Sequence, residues 1–306
     1  MIRPVRVATT LAGIALLLAF TGCGSEKGAA QPESCPADLA AIEPPDEDGE
    51  GVDVAAPSWS PDGSRIAFST GTSLFLLTVA DCSIERVRPA REGLRVDWAD
   101  WSPDGTSFAF IGSSDTDTEA VFVMRADGSG VRRVAEPASA LFPVWSPDGR
   151  TIAFVDDRFD KSSGTEDRNV WLVDADGTSL RRVTKGTWHG SVGWSPDGEW
   201  LVTDSGSAVV RVRPDGSDRT VVVGGDHPSP DWSPDGKTLV MQGLSFAPAT
   251  GGAPRTVDVV QDGAFEPAWS PDGEWIAFVD GSGAQDLWIG QPDGDGLRQL
   301  TQAPDG

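Results

Sequence analysis

The chain of 306 residues carries 47 Asp and Glu against 24 Lys and Arg, a formal net charge of −23. That balance argues against nucleic acid as a partner, because a phosphate backbone is bound through clustered Lys and Arg. Its 36 Gly and 23 Pro follow no three-residue period, which excludes a collagen-like helix, and 39% apolar residues are enough to bury a core.

The N-terminus reads as an address. Arg3 and Arg6 precede a ten-residue apolar run, Leu11 to Phe20. A spanning helix needs about 20 apolar residues, so the run is the length of an export-signal core. It ends in Phe20-Thr21-Gly22-Cys23, which resembles the lipobox of bacterial lipoproteins. The resemblance implies that residues 1–22 are a signal peptide and that Cys23 becomes the lipidated first residue. It further implies an extracytoplasmic protein anchored to the bacterial membrane. An ordinary secretory signal with an incidental cysteine is the alternative. An acidic surface is repelled by anionic lipid, so the membrane contact is expected through the lipid alone.

Residues 23–50 are rich in Gly, Pro, Ala, Asp and Glu and lack apolar periodicity, which predicts an acidic flexible tether. Two further cysteines, Cys35 and Cys82, make an even pair. In an exported chain such a pair is expected to form a disulfide. Neither has a neighbour at metal-ligand spacing, and no metal site is expected through them.

The rest of the chain repeats one unit. Trp-Ser-Pro-Asp-Gly begins at Trp59, Trp101, Trp145, Trp194, Trp232 and Trp269, at spacings of 42, 44, 49, 38 and 37 residues. Those spacings suit a blade of four strands. Each copy follows one strand and precedes a β-rich run such as Ile152-Ala153-Phe154-Val155. A third run comes later, as in Val170-Trp171-Leu172-Val173, then an Asp-Gly turn and a fourth strand. Pro presets φ in the Ser-Pro-Asp-Gly turn, Asp suits its third position, and Gly takes the left-handed conformation. One unit cannot bury both its faces, whereas six closed in a ring can. The expected fold is therefore all-β, a six-bladed β-propeller of four-stranded antiparallel blades over residues 51–303. Closure of the ring by a strand from residues 36–56 has no support in the pattern.

These repeats resemble the WD-like propeller repeats of the TolB family, found also in the propeller domains of prolyl-oligopeptidase-type peptidases. The resemblance covers about residues 51–303 and implies a binding platform. It extends to neither the α/β domain that precedes the TolB propeller nor the hydrolase domain of the peptidases.

Motifs for covalent chemistry are missing. A serine-hydrolase elbow needs G-x-S-x-G, and the nearest stretch, Gly243-Leu244-Ser245-Phe246-Ala247, lacks the last Gly. Sialidases use a Tyr nucleophile, and there is no Tyr. Calcium-dependent lactonase propellers resemble one another in using Asn ligands, and Asn169 is the one asparagine. Asp174-Ala175-Asp176-Gly177 lacks the twelfth-position Glu of a calcium loop and reads as a hairpin turn. No cofactor and no catalytic residue are expected.

In a four-stranded meander the A–B and C–D turns share one face, and the B–C loops and D–A connections share the other. Variation concentrates on the second. Its longest B–C loop, residues 156–169, contains Arg158 and Phe159, and long loops are disproportionately functional. His189 and His227 each stand five residues before a motif Trp, beside Trp188 and Asp226, while Trp98 stands three before Trp101. Together Trp98, Trp188, His189, Asp226, His227, Arg158 and Phe159 form a candidate binding patch at the channel mouth. Packing and loop capping is the competing reading for each. Trp171, Trp200, Trp275 and Trp288 are placed on strands B and C and are expected in the core. The expected function is a monomeric, non-catalytic scaffold that binds an envelope protein or a cell-wall component. The alternatives are a small-ligand sensor and a propeller enzyme, each with its site at the mouth.

Overall fold

The computed structural model describes residues 37–38 and 54–302, apart from 115–116, 137–139, 157–158, 161–164, 167, 186–188, 226, 258–262 and 282–284. The chain divides into Met1–Ala30 and Gln31–Gly306, and every described residue belongs to the second unit. Among the described residues no helix is long and apolar enough to cross a membrane.

Six four-stranded antiparallel sheets follow one another along the chain. Blade 1 is Ala55–Trp59, Arg65–Ser69, Leu74–Thr78 and Ile84–Val87. Blade 2 is Arg95–Trp101, Ser107–Ser114, Asp117–Arg125 and Arg132–Ala135. Blade 3 is Ala140–Trp145, Thr151–Asp156, Asn169–Asp174 and Arg181–Arg182. Blade 4 is Gly193–Trp194, Leu201–Asp204, Ala208–Val212 and Thr220–Gly224. Blade 5 is Asp231–Trp232, Thr238–Met241, Ser245–Pro248 and Arg255–Thr256. Blade 6 is Ala264–Trp269, Ile276–Asp280, Leu287–Gly290 and Arg298–Gln299. The four strands of each blade are called A to D below. Each A strand touches the A strands of both neighbouring blades, and the circuit closes from blade 6 to blade 1.

The apolar runs of strands B and C are explained by burial on both faces. In blade 1, Ile66 and Phe68 join a cluster with blade 6, while Ala67 between them joins one with blade 2. Six such clusters fill the six gaps between blades. Each motif Trp sits in the cluster shared with the preceding blade, as Trp59 does with Ala277 and Val279. Burying a ring of that size removes on the order of 150–250 Å² from water, so the six Trp weld the ring from its inner side.

The repeated turn has one geometry throughout. The Ser hydroxyl donates to the Asp carboxylate two residues on, at 2.5–2.7 Å in all six copies. The same hydroxyl accepts a backbone N–H from the start of strand B, as from Arg65 at 2.9 Å. The Pro of one turn stacks toward the Gly of the next. A side chain added at Gly105 would meet Pro61 at 3.7 Å, and one at Gly63 would meet Pro271 at 3.9 Å. The turns thus form a closed ring of their own.

Every blade is built from one contiguous segment, and the seam between blades 6 and 1 shares no strand. It is closed by packing and by Trp59, whose indole N–H donates to the carbonyl of Ala268 at 3.2 Å. Where the sequence pattern gave no support for an N-terminal strand, Ala37–Asp38 pairs in parallel with Thr301–Gln302, just beyond strand D of blade 6. Two residues are too few for a periodic signal.

Candidate functional site

A cavity of about 320 Å³ runs down the axis, lined by the six A strands and the residues leading into them, with Pro147 and Pro271 from two of the motif turns. Its shape comes from an irregularity in strand A. Pairing with strand B slips just before the Trp in blades 1, 2, 3 and 6. The residue three before the motif Trp turns left-handed there: Ala56 (φ 52°), Trp98 (φ 44°), Phe142 (φ 51°) and Glu266 (φ 49°), with Ser229 (φ 54°) in blade 5. Such a bulge re-aims a side chain, and all five of these residues line the cavity. Non-Gly residues at positive φ carry strain of about 1–3 kcal/mol each and gather at functional sites. Trp98 and Phe142 are half-buried and packed ring on ring, with centroids 5.1 Å apart.

Blade 4 departs from the pattern. Asp204, at the end of its strand B, accepts the backbone N–H of Ser191 at 2.8 Å and of Gly190 at 3.2 Å. The carboxylate occupies the space that a side chain at position 190 would need, with Oδ2 only 2.5 Å away. His189 is consequently drawn inward and is fully buried. Its Nδ1 donates to the carbonyl oxygen of Asp204 at 3.1 Å and lies 3.0 Å from the Thr203 hydroxyl. Burial lowers its pKa to about 4. His189 therefore presents no ring surface to a partner, which corrects its expected place at the mouth. His227 is half-buried and packs beside Gly225. The two histidines share a sequence offset but not an environment.

The channel wall is acidic. One residue before the motif Trp, Asp100 accepts the backbone N–H of Trp145 in the next blade at 2.8 Å and the Ser58 hydroxyl at 2.8 Å. Asp231 accepts the N–H of Trp269, again one blade on, at 2.9 Å. Burial raises Asp100 to about 6 and Asp231 to about 7, and the charge of Asp100 adds to the push on Asp231. Blades 2 and 5 are opposite in a ring of six, so the two carboxyls address each other through the channel. Glu266 accepts the N–H of Ala56 across the seam at 2.6 Å. Burial raises its pKa, while that N–H and the Trp98 side chain favour its charge.

Sequence reasoning found Trp98 and missed Phe142, Glu266, Asp100 and Asp231. A carboxylate directly before the motif Trp, where an inward position calls for an apolar residue, is the signal that marks Asp100 and Asp231. Trp188, Asp226 and Arg158 lie outside the described residues, as do Cys23 and Cys35. Phe159 belongs to a short hairpin, Phe159–Asp160 with Thr165–Glu166, inside the long loop of blade 3. Trp171, Trp200, Trp275 and Trp288 are half-buried rather than enclosed. Trp200 carries the guanidinium groups of Arg211 and Arg213 at 4.4 and 4.0 Å from its ring centre. Among the described residues no group of three or more His, Cys, Asp or Glu is placed to hold a metal.

Fold and channel together define a six-bladed β-propeller with a pocket at its axis. The family model for the TolB beta propeller domain matches residues 50–242, and the chain belongs to that family. A TolB homologue from Chlorobium luteolum is 32% identical over 108 residues, 34% of this chain and 24% of that protein. The match thus spans about a quarter of that relative's length. Among solved structures, a putative TolB from Agrobacterium tumefaciens superposes with a TM-score of 0.54 at 21% identity, covering 81% of this chain and 80% of that one. A gluconolactonase from Xanthomonas campestris gives 0.61 at 15% identity, covering 82% and 87%. At these identities the superpositions speak for fold alone.

Proposed function

We propose that this chain is an extracytoplasmic, lipid-anchored propeller that binds an envelope protein or a cell-wall component at its channel, with no covalent chemistry. The observation that carries the reading is the ring of re-aimed residues, Ala56, Trp98, Phe142, Ser229 and Glu266, around one axial cavity. Strained positions cost stability and gather at functional sites, and here they recur in five blades around one cavity. Large half-buried aromatics are the usual anchors of an interface. The acidic wall favours a basic or neutral group from the partner.

Cys23 is the proposed lipid site and residues 23–50 the tether. We assign Cys35 and Cys82 to one disulfide. Ala37–Asp38, two residues beyond Cys35, pairs with the chain end of blade 6, as a segment pinned near the ring would. His227, Trp188, Asp226, Arg158 and Phe159 remain proposed contributors at the mouth, and the protein is proposed to act as a monomer. The test is a crosslinking capture from native envelope with wild type and with Trp98→Ala/Phe142→Ala. A partner held by wild type and released by the variant supports the reading. A partner held equally by both moves the site off the channel. Cys23→Ser should move the protein from the membrane to the soluble fraction, and unchanged fractionation overturns the anchor.

A second reading rests on Asp100 and Asp231, two carboxyls raised toward neutrality in one cavity, an arrangement used for acid–base chemistry. Both already accept an N–H from the next blade, which favours a structural role. A turnover abolished by Asp100→Asn/Asp231→Asn would replace the binding reading.

A further inference from the structure

Resting on the reading that the channel is the binding site, we propose that its occupant is an organic cation. This is a lysine, arginine or amino-terminal group of the partner, taken by the Trp98 and Phe142 rings and the Glu266 carboxylate. The cavity wall carries three carboxyl side chains, Asp100, Asp231 and Glu266, and no Lys, Arg or His. Its backbone is as one-sided. Pro57, Pro143, Pro230 and Pro267, each two residues before a motif Trp, line the cavity and have no N–H to offer an anion. Burial raises the pKa of all three carboxyls, as it does where enclosed acids lack a positive charge beside them. A cation entering from solvent supplies that charge, and low-dielectric walls of one sign draw it in.

Aromatic and acidic groups meet at one place on this wall. Trp98 packs on Phe142 with ring centres 5.1 Å apart, and its side chain also reaches Glu266, whose charge it favours. Glu266 accepts the Ala56 N–H at 2.6 Å, so the carboxylate is oriented before a ligand arrives. An aromatic face beside a carboxylate holds an ammonium or guanidinium by cation–π attraction together with a charge-assisted hydrogen bond. A metal ion fits less well. Calcium takes about six to eight oxygen ligands, and among the described residues no group of three or more His, Cys, Asp or Glu is placed to hold a metal. The cavity of about 320 Å³ is near the lower end of the roughly 300–1,000 Å³ of small-ligand sites. It has room for a side chain or a chain terminus and excludes a folded domain.

The experiment is an NMR titration of the full chain that follows the Trp98 indole N–H, assigned through Trp98→Phe. The probes are acetyl-lysine methylamide, acetyl-arginine methylamide and the uncharged acetyl-norleucine methylamide. A cationic amide should shift the resonance saturably, and the norleucine amide should leave it in place. Glu266→Gln keeps an oxygen for the Ala56 N–H and should weaken the cationic amides about fivefold or more. Glu274→Gln, an exposed acid outside the cavity, should change them less than about twofold. No shift by either cationic amide overturns the proposal, as does equal affinity for the norleucine amide or equal weakening in the two Gln variants. Failure of the channel reading itself looks different. In the envelope capture, a partner released by Trp98→Ala/Phe142→Ala but retained by Glu266→Gln keeps the channel as the site and overturns the cation. A partner retained by both removes the channel and the cation together.

Discussion

The Asp100 carboxylate of blade 2 crosses a blade boundary to accept the backbone N–H of Trp145 in blade 3, at 2.8 Å. Asp231 repeats the relation between blades 5 and 6, and the Ser58 hydroxyl takes the N–H of Trp101 more loosely at 3.3 Å. These bonds lie on the inner ring, where the A strands meet. Replacing Asp100 by Ala takes the acceptor from the Trp145 N–H and the Ser58 hydroxyl in a half-buried place on the channel wall, an expected loss of about 1 kcal/mol. Asp100→Asn keeps an oxygen acceptor and should lose less. Denaturant unfolding orders the two, and equal stability of Asp100→Ala and wild type would remove the staple from the account.

Stability should rise on mild acidification. Asp100 and Asp231 have folded values of about 6 and about 7, against an ordinary 3.8. As pH falls through the folded values, the native state takes up protons before the unfolded chain does, so stability increases down to about 4. His189 opposes this. Its folded value of about 4 lies below the ordinary 6.5, so the unfolded chain protonates first between those values and stability falls. Near neutrality Asp231 is the larger contributor and His189 offsets part of it. Thermal midpoints should climb as pH drops from about 7.5 to 6.5 in wild type and fall slightly in Asp231→Asn, where the His189 contribution is no longer outweighed. Overlapping profiles would rule this out.

Binding and stability should separate at the channel. Trp98 and Phe142 are half-buried and pack on each other, and Trp98 also packs on the blade 2–blade 3 cluster, so Trp98→Ala should cost the fold less than loss of an enclosed aromatic, about 1–2 kcal/mol. If the channel is the partner's seat, the same change should weaken capture by about 2 kcal/mol or more, as central aromatic anchors do. His189→Gln should do the reverse, losing stability and leaving capture intact. Matched losses of capture in both variants would mean the fold, and not a contact, was being read.

The ring was legible because it is written six times. A Pro-Asp-Gly turn has few alternatives, and runs such as Ile276-Ala277-Phe278-Val279 need burial on both faces. The channel was less legible because its defining feature is backbone geometry, not residue type. Ala56, Trp98, Phe142, Ser229 and Glu266 share a left-handed φ and a place three before the motif Trp, with no residue type in common. His189 misled for a related reason. An equal offset from the motif Trp promises an equal position only where the strand bulges equally, and Asp204 takes the bulge's place in blade 4. The Asp100 and Asp231 staples were hidden among the many Asp that serve turns.

Gly128 and Gly71 separate close packing from backbone strain. Both are left-handed, with φ of 82° and 75°. A side chain at Gly71 would meet nothing within 4 Å, whereas one at Gly128 would sit 2.1 Å from the carbonyl oxygen of Arg88 in the neighbouring blade. That carbonyl belongs to backbone and cannot swing aside, and the next turn of chain is fixed by the Ala90 N–H donating to the Gly128 carbonyl at 2.9 Å. Gly71→Ala should therefore cost about 1 kcal/mol, the strain of a left-handed Ala alone. Gly128→Ala should cost that plus the separation of blades 1 and 2, about 3 kcal/mol or more in all. Equal losses in urea unfolding would show that the C–D turn does not bear on the preceding blade, and the contact between neighbouring outer strands would lose its role in holding the ring.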